Sequence, residues 1–107
     1  MFARPRKLRR SDVNERIKKI HSAMADKLLS HPELFALAED TLEQRYQNNM
    51  MRYGSYLLWQ GILEAKSEPE VFKALLLADD ERTANLRRET IFTGILSEEE
   101  RAASLES

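Results

Sequence analysis

The chain contains no cysteine. That excludes disulfides, zinc–thiolate sites and thiol nucleophiles. Glycine and proline are scarce, three of each, and alternating apolar and polar residues hardly occur, so a strand-and-turn architecture is not expected. The longest uncharged apolar-rich run, Tyr53 to Leu63, falls well short of the roughly 20 residues a membrane span needs. The basic N-terminus is not followed by an apolar stretch, so it does not read as a secretory signal. No glycine-rich phosphate loop or nucleophile elbow is found. The two histidines, His21 and His31, lie on different elements without a thiolate near them in sequence, so no metal site or cofactor is expected. Carboxylates cluster at helix starts, where the helix dipole accounts for them. Nothing nominates an acid or base for catalysis, and the chain is not expected to be an enzyme.

What is present is helical patterning on a chain of 107 residues, the size of one domain. Charged residues make up 33% and apolar residues 42%, enough of the latter for a folded core. The net charge of −1 conceals a division. Residues 1–20 carry eight basic and two acidic side chains, and residues 21–107 carry nine and sixteen. Residues 1–10 are expected to form a basic flexible arm, in which Arg4, Arg6, Lys7, Arg9 and Arg10 could contact phosphates. A helical domain is expected over 11–107.

Ser11 or Asp12 can cap a first helix, with Glu15 completing a capping box with Asp12, and Val13, Ile17, Ile20, Met24 and Leu28 recur on one face to about Leu29. Ser30-His31-Pro32-Glu33 reads as a capping box between Ser30 and Glu33 that restarts the chain into a second helix, with Leu34, Phe35, Ala38, Leu42 and Tyr46 inward, fading near Asn48-Asn49. A third helix, about 51–65, is apolar around most of its circumference, and Trp59 reads as a core anchor. Gly54 and Gly61 each cost such a helix about 1 kcal/mol relative to alanine and are expected to permit close packing. Ser67-Glu68-Pro69-Glu70 repeats the earlier start, and Ser-His-Pro-Glu-Leu-Phe at 30–35 parallels Ser-Glu-Pro-Glu-Val-Phe at 67–72. The fourth helix should run to about Ala78. A fifth, capped by Asp79 or Asp80, should end near Arg88, and a last one opens with the box Ser97 to Glu100. The expected fold is all-α: a single small domain of five or six short helices packed around a central apolar helix.

Between the last two helices lies Ile91-Phe92-Thr93-Gly94-Ile95-Leu96, too short for a helix and without a strand to pair with. It either closes the chain's own core or places Phe92 in a pocket on another molecule, flanked by Arg87 and Arg88; the two roles are compatible. These residues resemble the C-terminal end of small bacterial helical antitoxin-like proteins. There an acidic pair precedes Arg-Leu-Arg, a Phe-x-Gly-aliphatic-Leu core and a Glu-Glu-Arg helix start. Here the counterparts are Asp79-Asp80, Asn85-Leu86-Arg87-Arg88, Phe92 to Leu96, and Glu99-Glu100-Arg101. Asn85 stands where the pattern favours Arg, and Ile91 where Pro is common. The Ser-His-Pro-Glu start and the Tyr56–Trp59 spacing also fit.

The resemblance implies a cytoplasmic partner of a larger toxin-like or nucleotidyltransferase-like protein encoded in an adjacent gene; the sequence leaves open whether the chain forms a homo-oligomer. Under it, Arg87, Arg88, Phe92, Ile95 and Leu96 bind and neutralise the cognate toxin. The alternative is a DNA-binding transcriptional regulator that grips operator phosphates through its N-terminal arm.

Overall fold

A computed structural model describes residues 10–106. They form six α-helices: α1 (Arg10–Ser30), α2 (Phe35–Gln47), α3 (Tyr53–Glu64), α4 (Pro69–Leu76), α5 (Glu81–Arg88) and α6 (Glu98–Glu106). Single 3-10 turns at Pro32–Leu34 and Ala65–Ser67 lead into α2 and α4. No strand occurs among the described residues, and the fold is the expected all-α one. None of the helices is long and apolar enough to cross a membrane. Arg4, Arg6, Lys7 and Arg9 lie outside the described residues; Arg10 is already the first residue of α1.

The apolar stripe of α1 forms as its spacing requires: Ile20, Met24, Ala25 and Leu28 are buried. This long helix packs against α4, α5 and α6, while α3 packs against α2 and α4. The core closes on Trp59 of α3 and Phe72 of α4, both fully buried. The parallel segments 30–35 and 67–72 meet in space. Their phenylalanines, Phe35 and Phe72, are both buried and touch edge to face, with centroids 5.2 Å apart. That geometry places the positive edge of one ring against the negative face of the other.

Local signals set some helix ends and not others. Ser97 and Glu100 form the expected capping box: the Glu100 amide donates to Ser97 Oγ at 3.1 Å, and the Ser97 amide donates to Glu100 Oε1 at 2.9 Å. Lys27 of α1 also reaches Glu100, at 2.6 Å, and this bond, with the Ser97 amide, depresses the Glu100 carboxyl to about 2. Asp80 caps α5 by accepting from the Thr83 amide. The boxes expected at Ser30 and Ser67 do not form, and α1 begins before Asp12. Asp12 sits inside the first turn of α1. The chain stays helical through Ser30, and His31 precedes the 3-10 turn without a side-chain cap. Ser67 belongs to the other 3-10 turn, and Glu68 precedes α4. At both serines the neighbouring backbone continues in a helical or 3-10 path and leaves no free helix start to cap.

At the end of α2, Asn49 adopts φ +58°. Its amide donates to the Tyr46 carbonyl at 3.1 Å, and the Met50 amide donates to the Arg45 carbonyl at 2.8 Å. This is the paired closure of a Schellman motif, with asparagine in the left-handed position that glycine more often fills.

The α3 glycines do not serve close packing within the chain. Gly54 and Gly61 are both exposed, and a Cβ added at either meets nothing within 4 Å. Gly61→Ala therefore removes backbone freedom without a clash and should stabilise the fold by about 1 kcal/mol. A thermal melt should show this as a rise of about 5 °C; an unchanged or lower midpoint would show that the site is not free helix surface.

Candidate functional site

The connector between α5 and α6 is a tight turn with both ends turned inward. Gly94 has φ +80°, the left-handed value a type II turn needs at its third residue, and the Ile95 amide reaches back to the Phe92 carbonyl at 3.3 Å. Thr93 and Gly94 face solvent, while Ile91, Phe92 and Ile95 are buried, Ile91 and Phe92 completely. Phe92 stands edge to face on Trp59 at 5.4 Å and also meets Phe72 and His21. Phe92 and Ile95 thus fill the chain's own core, the first of the two roles read from the sequence, and leave little surface to insert into a partner's pocket. Leu96 is half-buried and borders this core.

Arg87 is also turned inward, with 3% of its surface exposed. Its Nη1 donates to the carbonyls of Leu76 at 2.8 Å and Ala78 at 3.0 Å, closing the end of α4. It cannot meet an acidic partner from there. Arg88, one residue on, is exposed and donates to Asn14 Oδ1 of α1 at 2.7 Å.

His21, on α1, holds the turn in place. Its Nδ1 lies 2.8 Å from the Ile17 carbonyl, which can only accept, so Nδ1 carries the proton. Nε2 then accepts from Thr90 Oγ1, also at 2.8 Å. The same Thr90 oxygen accepts from the Phe92 amide at 3.1 Å. A short relay therefore fixes the start of the turn to α1.

Burial lowers the His21 pKa from 6.5 to about 4, and the positive charge of Arg87 acts in the same direction against the hydrogen bond to Ile17. A histidine whose pKa is lower folded than unfolded contributes stability that is complete above the unfolded pKa. That stability is lost as pH falls through 6.5 toward 4. The slope should approach about 1.4 kcal/mol per pH unit. Urea unfolding between pH 7 and pH 5 should show it, starting above the range where carboxylates titrate; His21→Gln should flatten that part of the curve. A wild-type profile already flat there would show that His21 charges freely in the folded protein.

Two surface grooves flank Arg88. The first, about 320 Å³, runs between α1 and the turn. Its walls include Ile17, Met24, Arg87, Phe92, Leu96 and, from α6, Arg101. Four of the five residues nominated for partner binding therefore border one depression, and Ile95 does not. Only Arg88, Leu96 and Arg101 among the groove's Arg and Leu side chains offer surface beyond the core. The second groove, about 760 Å³, lies between the start of α3 and the outer face of α5, lined by Met50, Arg52, Ser55, Arg82, Asn85 and Arg88 among others. Arg52, Arg82 and Arg101 did not stand out in the sequence as site residues. Arg52 and Arg82 are thirty residues apart, and no pattern along the chain joins them.

Among the described residues no three His, Cys, Asp or Glu side chains converge as a metal site. No family model, curated protein or solved structure matches the chain.

Proposed function

We propose that the chain is an antitoxin-like protein that acts by contact rather than catalysis, binding a cognate bacterial toxin and masking a surface the toxin needs. The observation that supports this reading is the first groove. Arg88, Leu96 and Arg101, drawn from α5, the turn and α6, border this one depression with two exposed arginines, and arginine is enriched among interface anchors. The contact surface passes from Phe92 and Ile95 to these more accessible neighbours, and the buried turn becomes the rigid support that positions them.

The test is co-expression with the product of the adjacent gene. The expected result is co-elution of the two proteins and relief of growth arrest, with Arg88→Glu combined with Arg101→Glu abolishing both while circular dichroism is unchanged. A neighbouring product that neither binds nor harms growth would end this reading.

Regulation through DNA is the second reading, and the charge division favours it: the described residues carry thirteen basic and eighteen acidic side chains, so attraction to phosphate has to come from the N-terminal end. A gel shift with operator duplex at low salt, lost on deleting residues 1–10, would support it; no shift at low salt would dismiss it.

A further inference from the structure

The second groove combines exposed arginines with apolar surface. Arg52, Arg82 and Arg88 line it against a single carboxylate, Glu89. All three arginines are exposed. Neither Arg52 nor Arg82 forms an ion pair or a side-chain hydrogen bond with a described residue, and Arg88 is held only by the neutral Asn14. On a body with five more acidic than basic side chains, this is an island of the opposite sign. Such an island attracts negative charge locally while the rest of the surface repels it.

Apolar groups accompany the charge. Met50, 72% exposed, lines the groove. Half-buried Met51 and Leu58 line it as well. Methionine adapts its shape to an apolar contact at low cost.

We infer that the groove between α3 and α5 is a docking site for an acidic, leucine-rich segment of a partner polypeptide, its carboxylates on Arg52, Arg82 and Arg88 and its apolar side chains on Met50 and the α3 wall. Nucleic acid fits less well. A duplex offers phosphate but no aliphatic side chains to cover Met50, and the acidic body repels a long polyanion. The inference extends the neutralising reading, since one partner could span both grooves across Arg88, but the groove's chemistry does not depend on what the partner does.

The test uses the full chain with a fluorescent synthetic peptide rich in glutamate and leucine, its lysine counterpart, and a duplex oligonucleotide, followed by anisotropy and amide chemical-shift mapping. The acidic peptide should bind, weaken with added salt, and shift the amides of Arg52, Ser55, Arg82 and Asn85. Arg52→Glu with Arg82→Glu should lower its affinity by at least about tenfold; both positions are exposed, and circular dichroism would verify the fold. The lysine peptide should not bind. No binding, shifts outside the groove, an affinity indifferent to the double reversal, or a duplex that displaces the peptide from these residues would each overturn the inference. Its failure is separable from that of the neutralising reading. If the adjacent-gene complex forms but the peptide ignores the groove, docking here falls and neutralisation stands; a peptide seated in the groove with no such complex reverses that outcome.

Discussion

Phe92→Ala is expected to destabilise the fold by about 3–5 kcal/mol, the range for removing a large aromatic from a packed interior. The ring has no exposed surface and touches Trp59, Phe72 and His21, so its loss leaves a cavity where side chains from α1, α3 and α4 meet. Those side chains sit on three helices held by separate contacts and cannot all collapse inward. For a domain of this size, such a loss lowers the melting point by more than about 10 °C and removes a large share of a typical total stability of about 5–15 kcal/mol. Urea unfolding followed by circular dichroism measures it. Phe92→Leu, which keeps most of the volume, should lose much less. A Phe92→Ala protein with wild-type stability would mean that the ring is not part of the core.

Arg87→Ala should cost about 3 kcal/mol. The guanidinium donates to two carbonyls at and just beyond the end of α4, where the helix leaves acceptors without partners. Hydrogen bonds involving a charged group contribute about 1.5–3 kcal/mol each, and an acceptor stripped of its partner in a buried place costs more than the bond alone. Burial already pulls the Arg87 pKa below its usual value against the pull of Asp79, Asp80 and Glu15, so the desolvation cost is borne in the folded protein and offset by these contacts. Arg87→Met would keep the apolar stem but leave both carbonyls bare, and Arg87→Lys would offer a compact ammonium in place of a planar fork. Both should remain less stable than wild type in denaturant titrations. A fully stable Arg87→Met protein would assign the residue's contribution to packing alone.

Much of the fold was legible along the chain because helix signals are local. The four-three-four-four spacing on α1 depends only on helical geometry, and Pro32 and Pro69 mark restarts because proline cannot continue a helix from its interior. The capping boxes show where local reading stops. Ser97 caps because the backbone before it is irregular; Ser30 does not, because α1 runs on through it. The choice rests on where the preceding helix ends, which packing decides.

The site was legible in part, for a similar reason. That residues 91–96 had to be covered followed from their composition. Which surface covers them did not, because water is excluded equally well by the chain's own core or by another protein. Arg87 and Arg88 look alike in sequence, yet one helical step of about 100° turns the first toward α4 and the second toward solvent. The cationic groove was not visible at all, because Arg52 and Arg82 come together only once α3 and α5 are in place.

The relay from His21 to Phe92 has a consequence for how the protein is made. The space beside Trp59 stays unfilled until Phe92 has been added to the chain and has left the ribosome. Contacts this distant along the chain form late, so until then the nascent polypeptide has helices but no closed interior. A chain cut short before Phe92 exposes a greasy centre and is suited to rapid clearance by proteases.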